Sequence, residues 1–323
     1  MSRLLTAAAV FVALTSTVSV QAEPYPSRSV RLLVTTAAGG AGDLVARAIA
    51  DRFSQSLGQT VVVENQPAAN GSVAAGQLAK AAPDGYTLSV MVDSTLTSNP
   101  HLYKSLPYDA VKDFEPIGII SKVPLVLVAN RDLKADNIKE LIALAKSTPG
   151  KLSYASTGVG TQLHIGMELF KLMSGTDILH VPYRTTTSAM ADVMGARIDM
   201  VLVGQSSAKA QAGSPQLKLL GIAAAKRSPL MPDLATISES GIPGYEVSSY
   251  FVLLAPARTP QDIIARLSQE LKKAAVDPKF IAALAPQGME IIAGSPDEMR
   301  ETMAATSKKW GDVIAATGTT IAQ

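Results

Sequence analysis

The chain has 323 residues, 29 of them basic and 27 acidic, and no cysteine. A balance that close gives nucleic acid no basic surface to meet, and the missing cysteines exclude disulfides, thiolate catalysis and cysteine metal sites. The three histidines, His101, His164 and His180, show no metal-ligand spacing, so neither a metal nor a cofactor is expected.

The amino terminus reads as a secretory signal. Arg3 supplies a positive start, residues 4–14 are apolar, and Val20-Gln21-Ala22 has the small-x-small form of a peptidase site. The apolar run is too short to span a bilayer. Cleavage after Ala22 would leave 323 − 22 = 301 residues with 28 basic against 27 acidic, enough chain for two domains. No later segment is long, uncharged and apolar, so no stable membrane insertion is expected.

Residues 30–34 read as a buried strand. From Asp43, the apolar positions Leu44, Val45, Ala48, Ile49, Phe53 and Leu57 share one helical face, and Gly58 ends it. Residues 61–63 form a strand, 72–81 an alanine-rich helix stopped by Pro83-Asp84-Gly85, and 86–92 a third strand. The second third repeats the alternation: strand 125–129, helix 138–146, strand 152–155, helix 161–173, strand 178–181, helix 187–194, then strands 200–203 and 217–223. After a Pro/Gly-rich stretch, residues 252–254 are a strand. Thr259 is the expected N-cap of the next helix, with Pro260 at its first position and Asp262 in its first turn. Residues 278–284 and 296–316 are further helices, expected to pack on the first sheet.

This pattern implies an α/β fold of two lobes, each a mainly parallel sheet flanked by helices. The chain would cross between lobes near residues 122–124 and 247–250, making a hinge with a ligand cleft. The division is then signal peptide 1–22, lobe 1 from 23–122 plus 250–323, and lobe 2 from 123–249.

Three strand-to-helix loops could carry chemistry. The first contains Ala37, Ala38, Gly39 and Gly40 and ends on Asp43. Its lack of bulk leaves backbone N–H groups open at a helix start, which suits an anion; Asp43 reads as a cap. The second contains Ser156, Thr157, Gly158, Gly160 and Thr161, adding hydroxyls, with Thr161 a natural N-cap and His164 one turn further on as a donor. Leu163 stands where a dinucleotide fingerprint needs its third glycine, so no pyrophosphate site follows. The third runs Val181-Pro182-Tyr183-Arg184-Thr185-Thr186-Thr187, in which Arg184 can pair with a carboxylate. Ser94 and Thr95, after the third strand, and Gln205, after residues 200–203, complete the candidate set. There is no Gly-x-Ser-x-Gly elbow, no His-Glu-x-x-His and no Gly-Lys-Ser/Thr loop. Catalysis is not expected, though a serine–histidine pair assembled only in three dimensions stays open.

These motifs resemble the substrate-binding proteins of tripartite tricarboxylate transporters, the TctC or Bug family. The resemblance rests on Ala38-Gly39-Gly40-Ala41-Gly42-Asp43, Val61-Val62-Val63-Glu64-Asn65, Ala82-Pro83-Asp84-Gly85-Tyr86-Thr87-Leu88, Asn99-Pro100-His101-Leu102-Tyr103, Gly158-x-Gly160-Thr161-x-x-His164, Val181-Pro182-Tyr183-Arg184 and Leu254-Ala255-Pro256. It implies a two-lobed periplasmic binding fold that holds a ligand carboxylate between the first and second loops. It further implies a monomer in the periplasm that passes a small organic carboxylate to transmembrane subunits; presenting it to a signalling receptor is the alternative, and a hydrolase a distant third. Three positions depart from the family pattern: Ala38 for proline, Thr185 for glycine, Tyr250 for tryptophan. The threonine run after Arg184 favours a dicarboxylate, aromatic or aliphatic, with Arg184, the threonines, Ser94 and Thr95 around its far end.

Overall fold

The computed structural model describes residues 25–321, so the signal-peptide segment lies outside the described residues. The chain opens with β1 (Val30–Val34), α1 (Ala41–Leu57), β2 (Val61–Asn65), α2 (Ser72–Ala79) and β3 (Thr87–Val92), then two single-turn helices, α3 (Ser94–Thr97) and α4 (Asn99–Leu102). A long strand, β4 (Phe114–Asn130), leads to α5 (Ile138–Ser147), β5 (Ser153–Ser156), α6 (Gln162–Ser174), β6 (Leu179–Pro182), α7 (Thr186–Met194), β7 (Met200–Gly204), α8 (Gln205–Ala210) and β8 (Leu217–Ile222). The chain returns through β9 (Ser248–Pro256) to α9 (Gln261–Ala275), α10 (Pro278–Leu284), β10 (Glu290–Gly294) and α11 (Pro296–Thr317).

The helices begin and end where local chemistry supplies partners. In α1, buried Val45, Ala46, Ile49, Ala50, Phe53 and Leu57 make one stripe, and Gly58 closes the helix at φ 73°. Asn137 caps α5 by accepting from Glu140 N, and Asp277 caps α10. Ser295 and Glu298 form a capping box on α11, with Pro296 at its first position. At α9 the expected cap moves by one residue. Pro260 holds the N-cap position, because the Thr259 hydroxyl donates back to Pro256 O at 2.7 Å instead of serving the helix.

The main sheet runs in the order β2-β1-β3-β9-β4-β7-β5-β6, with β8 and β10 also paired to β4. Its outer strands are parallel, β1 with β2 and β3 and β5 with β6 and β7. The centre departs from the parallel expectation: β4 and β9 are antiparallel to each other and to β7 and β3. β4 pairs with β9 from Phe114↔Pro256 to Pro124↔Ser248, then with β7 and β8 from Leu125 onward. Only residues 125–129 of it read as strand in the sequence. Pro116, Gly118 and Pro124 hide the rest, and the register shifts between Pro116 and Gly118 and again between Ile119 and Ser121.

Each lobe has its own core. Val30, Leu32, Ile49 and Phe53 pack with Leu267 of α9 and Phe280 of α10, as expected for the returning chain. Leu127, Tyr154, Phe170, Leu202 and Tyr245 fill the other. α11 departs from the expectation that it lies on the first sheet. Met299 and Met303 do pack against Leu33 and Met91, but Trp310, Val313 and Ile314 belong to the core around Phe170. A helix of 22 residues reaches roughly 33 Å, long enough to strap both lobes. Lys309 Nζ adds a 2.6 Å bond to Glu246 O.

Trp310 is 2% exposed. Trp310→Ala should therefore cost about 3–5 kcal/mol of stability, measured by chemical denaturation followed by circular dichroism. A loss below about 1 kcal/mol would show that the far end of α11 contributes no core.

Candidate binding cleft

A cleft opens between the lobes where several strands end and helices begin. Its inner chamber has a volume of about 240 Å³ and is lined by Thr35, Asn70, Ser94, Thr95, Gln162, Leu163, Ser249 and Phe251, among others. An outer vestibule of about 740 Å³ is lined by residues 35–42, Thr157, Gly158, Thr161, Arg184 and the three threonines that follow it. Thr36, Asn70, Val123, Thr157, Thr161, Thr186, Gly204 and Phe251 border both, so the two volumes are continuous. Phe251, Val123 and Leu125 give the cleft an apolar floor.

The structure brings Ala37, Ala38, Gly39, Gly40, Thr157, Gly158, Thr161, Arg184 and Thr185 to the vestibule and Ser94 and Thr95 to the inner chamber. Arg184 and the Ser94–Thr95 pair thus line different ends of the cleft rather than one subsite. Five candidates lie behind the walls. Asp43 is 3% exposed and accepts from Gly39 N, Arg47 Nε and Asn65 Nδ2. Burial alone would raise its pKa, but the bonds from Arg47, Gly39 and Asn65 hold it below the ordinary carboxylate value. It braces the loop from within, and Gly40 takes the N-cap position. Ser156 Oγ accepts from Gly158 N at 3.1 Å and lies 2.6 Å from His180 Nε2. Gln205 Nε2 donates to Gly288 O at 2.9 Å, and His164 Nδ1 accepts from Gly160 N at 3.2 Å.

Gly160 itself is held at φ +83°, and a Cβ there would come within 2.5 Å of Leu102 Cδ1. Its N–H is spent on His164, so it supports the second loop without facing the ligand space. Thr161 stands at the N-cap of α6, but its hydroxyl donates to Gly158 O at 2.9 Å and leaves the helix start uncapped by side chains.

In the first loop, two of the amides expected to be open are used internally. Gly39 N donates to Asp43 and Gly40 N to Ala37 O. The first-turn amides of Ala41 and Gly42 have no acceptor among the described residues, and with the α1 dipole they supply the anion-attracting end. Arg184 is exposed at the vestibule and makes no ion pair or side-chain hydrogen bond among the described residues. Thr185 caps α7 by accepting from Ser188 N at 3.1 Å.

Asn70 was missed in the sequence and is central here. It sits at φ 49°, donates to Asn99 Oδ1 at 2.7 Å and to Gly160 O across the cleft at 3.5 Å, and its carbonyl accepts from Thr95. Asn70-Gly71 is a turn dipeptide, the one signal that could have found it.

The chain matches the family described as the tripartite tricarboxylate transporter family receptor over residues 45–319. It belongs to that family. BugT of Bordetella pertussis is 33% identical over 320 residues, covering 98% of each chain. Among solved structures, R. palustris Rpa4515 with adipate superposes at TM-score 0.84 with 31% identity, over 92% of this chain and all of that one. MatC from Rhodopseudomonas palustris with bound malate gives 0.80 and 29% identity, over 90% of this chain and all of that one. The protein is therefore a solute-binding receptor of the TctC/Bug family rather than an enzyme. No helix among the described residues is long and apolar enough to cross a membrane.

The receptor does assemble a serine–histidine pair, Ser156 with His180, but as a brace. Ser156 is fully buried and its Oγ is engaged with Gly158. His180 lies between Tyr154 and His164, with ring centroids 4.9 and 4.0 Å away. Burial, with the charges of His180 and Lys171, lowers the His164 pKa to about 3, and burial with Lys171 lowers that of His180 to about 4. Both rings are neutral in the folded receptor near pH 7. An unfolded chain protonates its histidines near 6.5, so folding excludes protons from pH 6.5 down to about 4 at His180 and about 3 at His164, and stability falls as pH drops through that window. Wild type should lose on the order of 1 kcal/mol per pH unit per imidazole against a His164→Gln, His180→Gln double variant, measured by denaturation at fixed pH. Parallel pH curves would mean the rings are charged in the fold.

Proposed function

We propose that this receptor works in the periplasm and captures a small aliphatic dicarboxylate between its lobes for delivery to the transmembrane subunits of a tripartite tricarboxylate-type transporter. The observation that carries the reading is the polarity of one cleft: at the vestibule, the open first turn of α1 and Arg184, which makes no ion pair among the described residues; within, the polar lining of Ser94, Thr95, Asn70 and Gln162. A carboxylate leaving water needs replacement donors, and charge-assisted bonds to a guanidinium and to helix-start amides are among the strongest. The apolar floor of Phe251, Val123 and Leu125 suits a short methylene chain between two polar ends. The adipate and malate held by the two R. palustris neighbours favour an aliphatic diacid over an aromatic one. The hinge of this reading lies where β4 changes partners, at Pro124 and Leu125, opposite the start of β9, so that lobe 2 spans about residues 123–249. A ligand touching both lobes then favours closure by its differential affinity.

Calorimetry with adipate against hexanoate tests the second carboxylate. Adipate should bind at least tenfold more tightly, and Arg184→Met should weaken adipate by about 1.5–3 kcal/mol while leaving hexanoate unchanged. Equal binding of diacid and monoacid would remove the dicarboxylate assignment. Gly40→Val, at φ −78°, sets a Cβ 3.1 Å from Ala37 O, so it should distort the first loop, narrow the vestibule and weaken adipate, with folding checked separately by circular dichroism.

A further inference from the structure

Asp93 is the most deeply buried carboxylate beside the cleft, at 0% exposure. It follows β3, between Val92 and Ser94, both of which line the inner chamber. Its two oxygens are held by neutral donors: Oδ1 accepts from Tyr250 N at 3.0 Å and Oδ2 from Gln162 Nε2 at 2.6 Å. The second bond joins the lobes, since Asp93 follows β3 and Gln162 opens α6. Gln162 is 3% exposed, lines the inner chamber, and its Oε1 is buried with no partner among the described residues. A buried amide oxygen left without a donor is costly, and the residue that carries it lines the inner chamber.

We propose that Asp93 and Gln162 form a proton-controlled selector in the inner chamber. With Asp93 charged, Gln162 must turn its NH₂ toward the carboxylate and leaves its carbonyl oxygen for a ligand donor. With Asp93 protonated on Oδ2, the acid O–H donates to Gln162 Oε1, and the amide turns its NH₂ to the chamber as a donor for a ligand carboxylate. The proton comes from solvent, and Oδ1 keeps its bond from Tyr250 N in both states. Asp93 is thus a positioning residue that acts through Gln162. This rests on the carboxylate reading of the cleft and adds that a carboxylate end in the inner chamber enters together with one proton.

The surroundings agree. Burial, only partly offset by the bonds from Tyr250, Gln162 and its own turn, pushes the Asp93 pKa up to about 7. The groups facing it are the Tyr250 N–H and phenol from β9, the Gln162 amide from α6 and the Ser94 N–H from α3. Lys122, Glu246 and Glu290 stand beyond, acting on the Tyr250 phenol. A ligand anion nearby disfavours a second negative charge and raises the Asp93 pKa further. Affinity for a carboxylate is then full below pH 7 and falls as pH rises above it.

Side-chain amide NMR of the free protein decides the selector, with the Gln162 cross-peak identified by its loss in Gln162→Met. That peak should titrate with a midpoint near 7 in wild type and stay flat in Asp93→Asn, whose new amide can still accept from Tyr250 and donate to Gln162. A flat wild-type titration overturns the proposal, whether or not Asp93→Asn folds. Adipate calorimetry at pH 8 in buffers of different ionisation enthalpy should show uptake approaching one proton in wild type and none in Asp93→Asn. Wild-type affinity should fall up to tenfold per pH unit above 7 while the variant's stays level. Adipate binding without proton uptake also overturns it. Failure of adipate to bind either protein at any pH would instead sink the carboxylate reading of the cleft, leaving the free-protein titration to decide the selector.

Discussion

Because β4 runs unbroken from one half of the sheet into the other, the two lobes share a backbone as well as a boundary. At Pro124 the strand still pairs with Ser248 of β9; at Leu125 it pairs with Gly204 of β7. Proline carries no N–H, so the ladder is weakest at the point where partners change. The strand ends that open toward the cleft follow from that geometry. Thr35 and Thr36 after β1, Ser94 after β3, Thr157 after β5 and Gly204 at the end of β7 all border one volume. A ligand at such a place touches both half-sheets without needing either to reach far.

A second connection limits how far the halves can part. α11 buries Met299 and Met303 in one core and Trp310, Val313 and Ile314 in the other. Its far half cannot leave without opening a cavity the size of an indole. Rotation about the β4–β9 crossing is compatible with this strap, whereas wide separation of the lobes is not. Two buried polar bonds also span the lobes, Asp93 with Gln162 and Gln205 with Gly288. Any parting of the lobes would expose those polar groups to water and leave them unpaired.

The alternation of strands and helices was legible in the sequence because α1, α5 and α6 have clear apolar stripes and glycine or threonine punctuation. The centre of the sheet was not, since Pro116, Gly118 and Pro124 break the strand pattern while β9 supplies pairing that no local signal encodes. For the site, the bulk-free first loop and Arg184, singled out by their types and positions, came to line the vestibule. Asp43, Ser156, Gly160, His164 and Gln205 did not, because each serves the wall from behind, and spacing alone cannot tell a residue that faces a ligand from one that holds the residue facing it. Asn70 and Gln162 were missed for the opposite reason: they are neutral amides whose importance comes only from the partner opposite.

The charge distribution along the cleft follows the same division of labour. The inner chamber is lined by neutral groups, Thr35, Asn70, Ser94, Thr95 and Gln162, and the guanidinium of Arg184 stands at the vestibule. A full charge in a narrow buried chamber would need a partner in every state of the protein. Dipoles and amides do not, so the cleft can stand unliganded without a stranded ion. A cation at the mouth acts at a distance on approaching anions and raises their rate of encounter, an effect that weakens with salt. Behind that neutral lining stands Asp93, fully buried between Val92 and Ser94. Burial against neutral donors pushes its pKa up to about 7, which under the selector proposal makes it the position beside the cleft where occupancy and pH act on the same atom.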